Sequence, residues 1–448
     1  MATARWISNS LNRKQVNTLT IANTWATNDT ATLTINNVDY VITIGTLVTT
    51  AQVATTIKEF LSGSTTTTDT TATGTISAAD GGAQLVPLFS ELTATVSSSV
   101  VSLSINQSSP AYLAGKPFTI TVTGDGTAGN GTATMATSIA ATSQCHLDQI
   151  DNLDSNALLA DGDTLVFDSG SVDVRWGLNT YASGATTCQL ATITKYKAYT
   201  GNVGLPEYNT DNNAKPYHEY RTTYFTTDDN TATTTANLEV GDGPGSSRFK
   251  WDAGAGQVLM SVFGKGSRVD QGVPCILFKG SHASNVVRNM AGDVGIAYFG
   301  GETAVVATLV NGDGPQSAAS TICGSGCTLT TVTSNGGTIE TNSAITTANQ
   351  NGGKWFHKAG TVTTANILGG THYPLGTATY TTVKLLGATF DLSTGNGAVT
   401  ITNTIQMYSG SKFIDPQGRV SGPVFKLNGC KPSEVTIDIP KDKTLTVS

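Results

Sequence analysis

Apolar and polar residues alternate with a period of two in runs such as Ala31-Thr32-Leu33-Thr34-Ile35 and Phe118-Thr119-Ile120-Thr121-Val122. Successive side chains of a strand point to opposite faces, so this pattern predicts half-buried β-strands. Strands are expected over 16–21 and 31–44, the second a hairpin turning at Asn36-Asn37. One stretch breaks the period. Over 49–61, Val53, Ile57, Phe60 and Leu61 fall on one helical stripe, with Thr49 or Thr50 as cap and Gly63 as stop. Alternation returns at 93–105 and 118–122. Residues 16–144 therefore read as a small α/β domain.

Beyond residue 170 the pattern is strand, turn, strand. Apolar runs at 258–263, 275–278, 294–299 and 305–310 are separated by glycines, as buried strands of stacked coils would be. Between 328 and 392 the chain repeats. Thr330-Thr331, Thr346-Thr347, Thr363-Thr364 and Thr381-Thr382 recur after 16, 17 and 18 residues, and a glycine follows each first threonine by six: Gly336, Gly352, Gly369 and Gly387. A short fixed period marks a unit that buries its apolar face only by stacking on copies of itself. Thr and Val suit a pleated surface, and Gly supplies a corner of positive φ. The period is too short for a pair of helices. The expected fold is mainly β, a small N-terminal α/β domain followed by a right-handed parallel β-helix, with the four Thr pairs in one column and the glycine corners in another.

Composition narrows the class. In 448 residues only 13% are charged and 7% aromatic, with 48 glycines. This disfavours a helical enzyme or a coiled coil and fits an extended all-β protein with a hydroxyl-rich surface. A net charge of −7 argues against sequence-independent nucleic-acid binding, which needs a basic face. No run of 18 apolar residues exists, so no membrane-spanning segment is expected, and residues 1–6 do not read as a secretory signal. Six cysteines, at 145, 188, 275, 323, 327 and 430, are too scattered for a disulfide framework. Cys323 and Cys327 have C-x3-C spacing but no matching second pair, and read as small buried side chains rather than zinc ligands or a redox pair.

The candidate chemistry is sparse. His146, His218, His282, His357 and His372 show no paired metal spacing, and no nucleophile elbow or phosphate loop is present. Asp148, Asp151, Asp154, Asp161, Asp163 and Asp168 cluster without the ligand ladder of an EF-hand, and read as turn caps rather than a calcium site. The most regular coils are nearly free of carboxylates, with Glu340 and Asp391 far apart in the repeat, against the two carboxylates of a glycoside hydrolase. No catalytic residue, cofactor or metal site is assigned.

Two stretches suggest contacts instead. Arg5, Trp6, Arg13 and Lys14 lie in a polar N-terminal segment, expected as an anchoring arm over 1–15 with Trp6 as its buried anchor. Tyr217, Tyr220, Tyr224 and Phe225 belong to an aromatic insertion at about 206–237, expected to pack between protomers of a trimer. Residues 145–170 form a hinge and the start of the solenoid, 171–448 the β-helix, with 430–447 capping its open edge.

The chain resembles a family of virion structural proteins from tailed bacteriophages and prophages. The resemblance rests on the Trp6 arm, on Leu19-Thr20-Ile21 with the 25–35 hairpin, and on the helix opening at Thr49-Thr50-Ala51-Gln52-Val53-Ala54. It continues through Ala160-Asp161-Gly162-Asp163, Gly204-Leu205-Pro206, His218-Glu219-Tyr220 with Tyr224, and Gly300-Gly301-Glu302-Thr303. The hinge departs from the family pattern: His146-Leu147-Asp148 stands where His-Trp-Asp is expected, so no role is carried over for that Trp. The resemblance implies a non-enzymatic capsid decoration or cement protein on the outer surface of a virion. Its implied partner is the major capsid protein, and the uncharged flanks and aromatic insertion add two further copies of itself as expected partners. The alternative is a receptor-binding spike or fibre that binds or cleaves host surface glycans. Neither nucleic acid nor membrane is expected as a partner.

Overall fold

The computed structural model of the chain describes residues 2–11, 13–26, 28–35, 38–44, 49–61, 74–78, 92–105, 120–125, 131–178, 189–204, 224–227, 233–239, 248–264, 273–314, 317–441 and 446–447. The chain divides into two units: Ser8–Asn152 with Leu205–Thr222, and Met1–Ile7 with Leu153–Gly204 and Thr223–Ser448. The expected turn at Asn36-Asn37, the helix stop at Gly63, and Tyr217, His218, Glu219 and Tyr220 lie outside the described residues.

The smaller unit holds two antiparallel sheets and one helix. One sheet runs in the order Leu92–Ser97, Val100–Ile105, Val16–Ala22, Thr132–Ile139; the other runs Gly74–Ala78, Val38–Ile44, Thr30–Ile35, Ile120–Asp125. The expected hairpin is present, with Ile35 opposite Val38 and Thr30 opposite Thr43. The helix, Thr50–Leu61, packs on the first sheet through Val53, Ala54, Ile57 and Leu61, all buried. Its start is a reciprocal cap. The Gln52 backbone N–H donates to Thr49 Oγ1 at 3.3 Å, and the Thr49 N–H donates to Gln52 Oε1 at 3.2 Å. Such a cap satisfies amides that the first helical turn leaves open.

The larger unit is a parallel β-helix. Among its described residues fifteen strands form one sheet and eleven another, every strand pairing within them parallel, and each regular coil contributes to both sheets. In the regular coils the long-sheet strands are Cys327–Ser334, Ile345–Gln350, Gly360–Ile367 and Ala378–Leu385; the short-sheet strands are Thr338–Thr341, Lys354–His357 and Thr371–Pro374. Stacked coils stand about 4.8 Å apart, the spacing of hydrogen-bonded strands.

Each Thr pair marks a bend. In Gly360–Ile367, Val362 and Ala365 face inward, and Thr363 and Thr364 between them both face out. Two consecutive outward residues break the period of two, so the strand turns a corner there. The first threonine of each pair falls outside the register, and the second stacks: Thr331 on Thr347, Thr347 on Thr364, Thr364 on Thr382. One coil later the bend lengthens and the strand divides into Val399–Ile401 and Ile405–Met407, both paired with Ala378–Leu385. Each coil thus has three strand segments.

The glycine corners stack as well, with one adjustment. Positive φ falls on the second glycine of the pair at Gly337 (70°), Gly353 (73°) and Gly370 (74°), and on Gly387 (70°) in the last coil. There Ala388 stands where the earlier coils have that second glycine. A Cβ disfavours the left-handed region, so the turn moves back by one residue. Residues 430–447 continue both sheets, as Thr436–Asp438 in the short-strand sheet and Thr446–Val447 in the long one.

The expected division at residues 15 and 16 needs correction. Thr3–Arg5 is a strand of the solenoid, parallel to Thr164–Phe167, with Thr3 opposite Thr164 and Arg5 opposite Val166. The Ala2 N–H donates to Asp163 Oδ1 (2.6 Å) and the Trp6 N–H to the Val166 carbonyl (2.9 Å). Residues 2–6 thus pair with a coil of their own chain.

Candidate functional site

Outside the solenoid the feature that runs furthest is a column of hydroxyls. Following the register of the long sheet from strand to strand gives Thr3, Thr164, Thr192, Thr235, Leu259, Val286, Thr308, Thr331, Thr347, Thr364 and Thr382. All are exposed or half-buried. Only Leu259 and Val286 interrupt the threonines. The next outward column includes Asn349 and Asn366, whose amides pair along the axis (2.9 Å). The described outer face of the regular coils is therefore largely neutral and hydroxyl-rich.

Inside, the regular coils carry a stack of rings with polar groups threaded through it. Trp355, His372, Phe390 and Phe413 occupy one inward column of the short-strand sheet. His372 lies parallel to Phe390 (5.4 Å, 7°), and Phe390 lies parallel to Phe413 (5.8 Å, 6°). A neighbouring column holds Thr341 and His357. The hydrogen bonds determine both imidazoles. Gln350 Nε2 donates to the carbonyls of Gly353 (3.2 Å) and Thr371 (2.9 Å), which turns its Oε1 toward His372 Nδ1 at 3.1 Å. Nδ1 of His372 therefore carries the hydrogen, and Nε2 accepts from the Tyr380 hydroxyl at 2.9 Å. In His357, Nε2 donates to the Gly360 carbonyl (3.3 Å) and Nδ1 accepts from the Thr341 hydroxyl (2.9 Å). That hydroxyl oxygen also accepts from Trp355 Nε1 (2.9 Å). Both histidines are neutral: burial pushes His357 down to about 4, and burial with the neighbouring His357 holds His372 well below the usual imidazole range. Burial likewise holds the Tyr380 phenol well above its usual range.

Other inward polar residues serve the backbone. Asn289 Nδ2 reaches the carbonyls of Gly292 (3.0 Å) and Ser320 (2.9 Å), and Asn311 Nδ2 that of Gly336 (2.8 Å). Arg419 spreads its guanidinium over five carbonyls, those of Pro374, Leu375, Gly376, Leu392 and Gly397, at 2.8–3.4 Å. Buried Lys195 donates to the carbonyls of Tyr199 (3.0 Å) and Glu239 (3.1 Å), and burial lowers its pKa to about 8.

The residues expected to make contacts separate. Trp6 is buried, but against its own coil, where it bridges Leu153; Arg5 pairs with Asp168 (2.9 Å) in the same unit. Neither is a free anchor. Arg13, exposed, and Lys14, half-buried, belong to the smaller unit, where the Arg13 N–H donates to the Thr142 carbonyl (2.7 Å). Phe225 points into the coil and packs edge-on to Phe249 (5.9 Å). Tyr224 is buried too, its hydroxyl on Glu302 (2.5 Å) and its ring under the Lys279 ammonium (4.6 Å). Both were expected between protomers and are spent within the chain; period-two alternation would have placed one of two adjacent aromatics inward. The aspartates behave as turn caps: Asp163 accepts from the amides of Ala2 and Ala160, Asp161 from Gln189 and Asp154 from Arg5. Among the described residues no group of three His, Cys, Asp or Glu side chains could hold a metal, and no helix is long and apolar enough to cross a membrane. Compared with protein-family models, curated proteins and solved structures, the chain matches none of them.

Proposed function

We propose that the chain is a non-enzymatic structural protein of a virion, a capsid decoration or cement protein. The Ser8–Asn152 unit, which carries Arg13 and Lys14, binds the major capsid protein, and the β-helix is displayed on the outer surface. The observation that carries this reading is how the solenoid divides its side chains. The groups that chemistry would need, such as His357, His372, Tyr380 and Lys195, lie inside the coils and spend their hydrogen bonds on the chain itself. The outer columns offer neutral hydroxyls and amides. Such a surface resists nonspecific ionic binding, and continuous parallel ladders resist proteases. Assembly into trimers belongs to the same reading and falls to the solenoid flanks, since Tyr224 and Phe225 are committed within the chain.

Quantitative mass spectrometry of purified particles tests the proposal. Hundreds of copies per particle are expected. A dozen or so would place the chain on a tail appendage instead, and its absence from particles would end the virion reading.

A further inference from the structure

We propose that Cys323 and Cys327 are a redox pair, which a small-molecule disulfide converts into an intramolecular disulfide across the turn 324–326. Cys323 ends the strand Ser320–Cys323 of the short-strand sheet, and Cys327 begins the long-sheet strand Cys327–Ser334. Both side chains are buried, and both thiols are free. They converge on one residue of the coil before them. Cys323 lies opposite Ile296 in the sheet register, and the Cys327 thiol donates to the Ile296 carbonyl at 3.2 Å. The Cys327 side chain, ahead of burial, holds the Cys323 thiol well above its usual range, as a close neighbour would.

The turn holds them there. The Gly324 N–H donates to the same Ile296 carbonyl at 2.9 Å. A Cβ on Gly324 would stand 1.8 Å from the Ala297 carbonyl oxygen, and one on Gly326 1.9 Å from that of Glu302. The turn therefore lies directly on the coil beneath it, which fixes the backbone on which both cysteines are mounted. A disulfide needs the two sulfurs only to close to about 2.05 Å.

The chemistry is two successive exchanges. The Cys327 thiolate attacks one sulfur of the oxidant, forming a mixed disulfide and releasing one thiolate. The Cys323 sulfur then attacks the Cys327 sulfur, forming the 323–327 bond and releasing the second thiolate. The two protons lost by the protein thiols end on the two released thiolates, so two protein thiols are oxidised and one oxidant disulfide is reduced to two thiols. Its neighbour Cys327 and burial keep the Cys323 thiol protonated, and both side chains are covered, so oxidation of the folded protein waits on local opening of the turn.

Incubation in a glutathione redox buffer, alkylation in denaturant with N-ethylmaleimide, and tryptic mass mapping test this directly. Cleavage after Arg288 and Lys354 releases a peptide, 289–354, whose only cysteines are Cys323 and Cys327. That peptide is expected without alkyl groups and about 2 Da lighter than its fully reduced form, at a ratio that leaves Cys145 and Cys430 alkylatable. A second sample is refolded in the same buffer, where access is not limiting. Formation there but slowly in the folded protein also supports the pair. Two alkyl groups on 289–354 in both samples, or glutathione adducts on it in place of the internal bond, would overturn the proposal. Cys323→Ser removes the lighter peptide if the assignment is right.

Discussion

Tyr380 and His372 share one hydrogen bond inside the solenoid, phenol oxygen to Nε2 at 2.9 Å, with both side chains buried. It leaves the imidazole without room for a second proton. The consequence appears on acidification. The unfolded chain takes up protons on His357 and His372 as pH falls below about 6.5, whereas the folded chain leaves His357 neutral until about 4 and His372 neutral further down. Both folded values are depressed, so the unfolded state binds more protons in that window and stability falls with pH. From His357 alone the loss is on the order of 3 kcal/mol between pH 6.5 and 4. Denaturant midpoints at pH 7, 5.5 and 4.5 read it out, and His357→Asn should flatten this limb while lowering the midpoint at pH 7.

Gly353 sits at φ 73°, and a Cβ there would approach the Gly337 carbonyl oxygen to 2.3 Å. Gly353→Val therefore combines a strained backbone with a clash against the coil beneath. A loss of about 1–3 kcal/mol is expected from the backbone conformation alone. Thermal unfolding measures it, and a variant as stable as the parent would contradict the corner assignment.

Thr→Val changes shape little and removes one hydroxyl, so its effect depends on which way the side chain points. Thr364→Val, on the outer column, is expected to change stability by less than about 0.5 kcal/mol. Thr341→Val leaves both Trp355 Nε1 and His357 Nδ1 without their partner inside the core, at about 1–3 kcal/mol for each unpaired group. Urea unfolding of the two variants side by side should separate them.

The strand at the start of the chain gives a similar contrast. Trp6→Ala leaves a cavity where the buried indole stood and is expected to lose about 3–5 kcal/mol. Arg5→Ala breaks ion pairs whose side chains are about half exposed, and should cost no more than about 1 kcal/mol. Equal effects in the same unfolding assay would mean that this strand does not pair with the coil.

Arg419 ties together carbonyls of successive coils that the ladders and the ring stack also join. Arg419→Ala withdraws the donor from five carbonyls and uncovers Gly395, beside which the guanidinium lies. A loss of at least about 3 kcal/mol is expected, and Arg419→Lys should recover only part of it, since an ammonium cannot reproduce the planar fork. Calorimetric melting of the three proteins checks the order.

What the sequence alone determined is what local chemistry controls. Period-two alternation specifies strands, the stripe Val53, Ile57 and Leu61 specifies the helix, and the recurrence of Thr pairs before glycines specifies a coil of 16 to 18 residues. These signals lie within one coil or one element, and stacking identical coils requires no other information. The lower part of the same column was hidden, because Thr164, Thr192 and Thr235 are 28 and 43 residues apart and loops of unequal length blur the period. The tertiary structure alone decided the rest. Thr3 and Thr164 meet although a whole unit of the chain lies between them, and nothing within residues 1–7 names that partner. Gln350, His372 and Tyr380 form one network only because coil register puts residues 22 and 8 positions apart side by side, and a one-residue slip would turn each to the opposite face. Phe225 and Tyr224 were legible as aromatics but not as core and cover, since which face of a short strand is inward depends on the coils on either side.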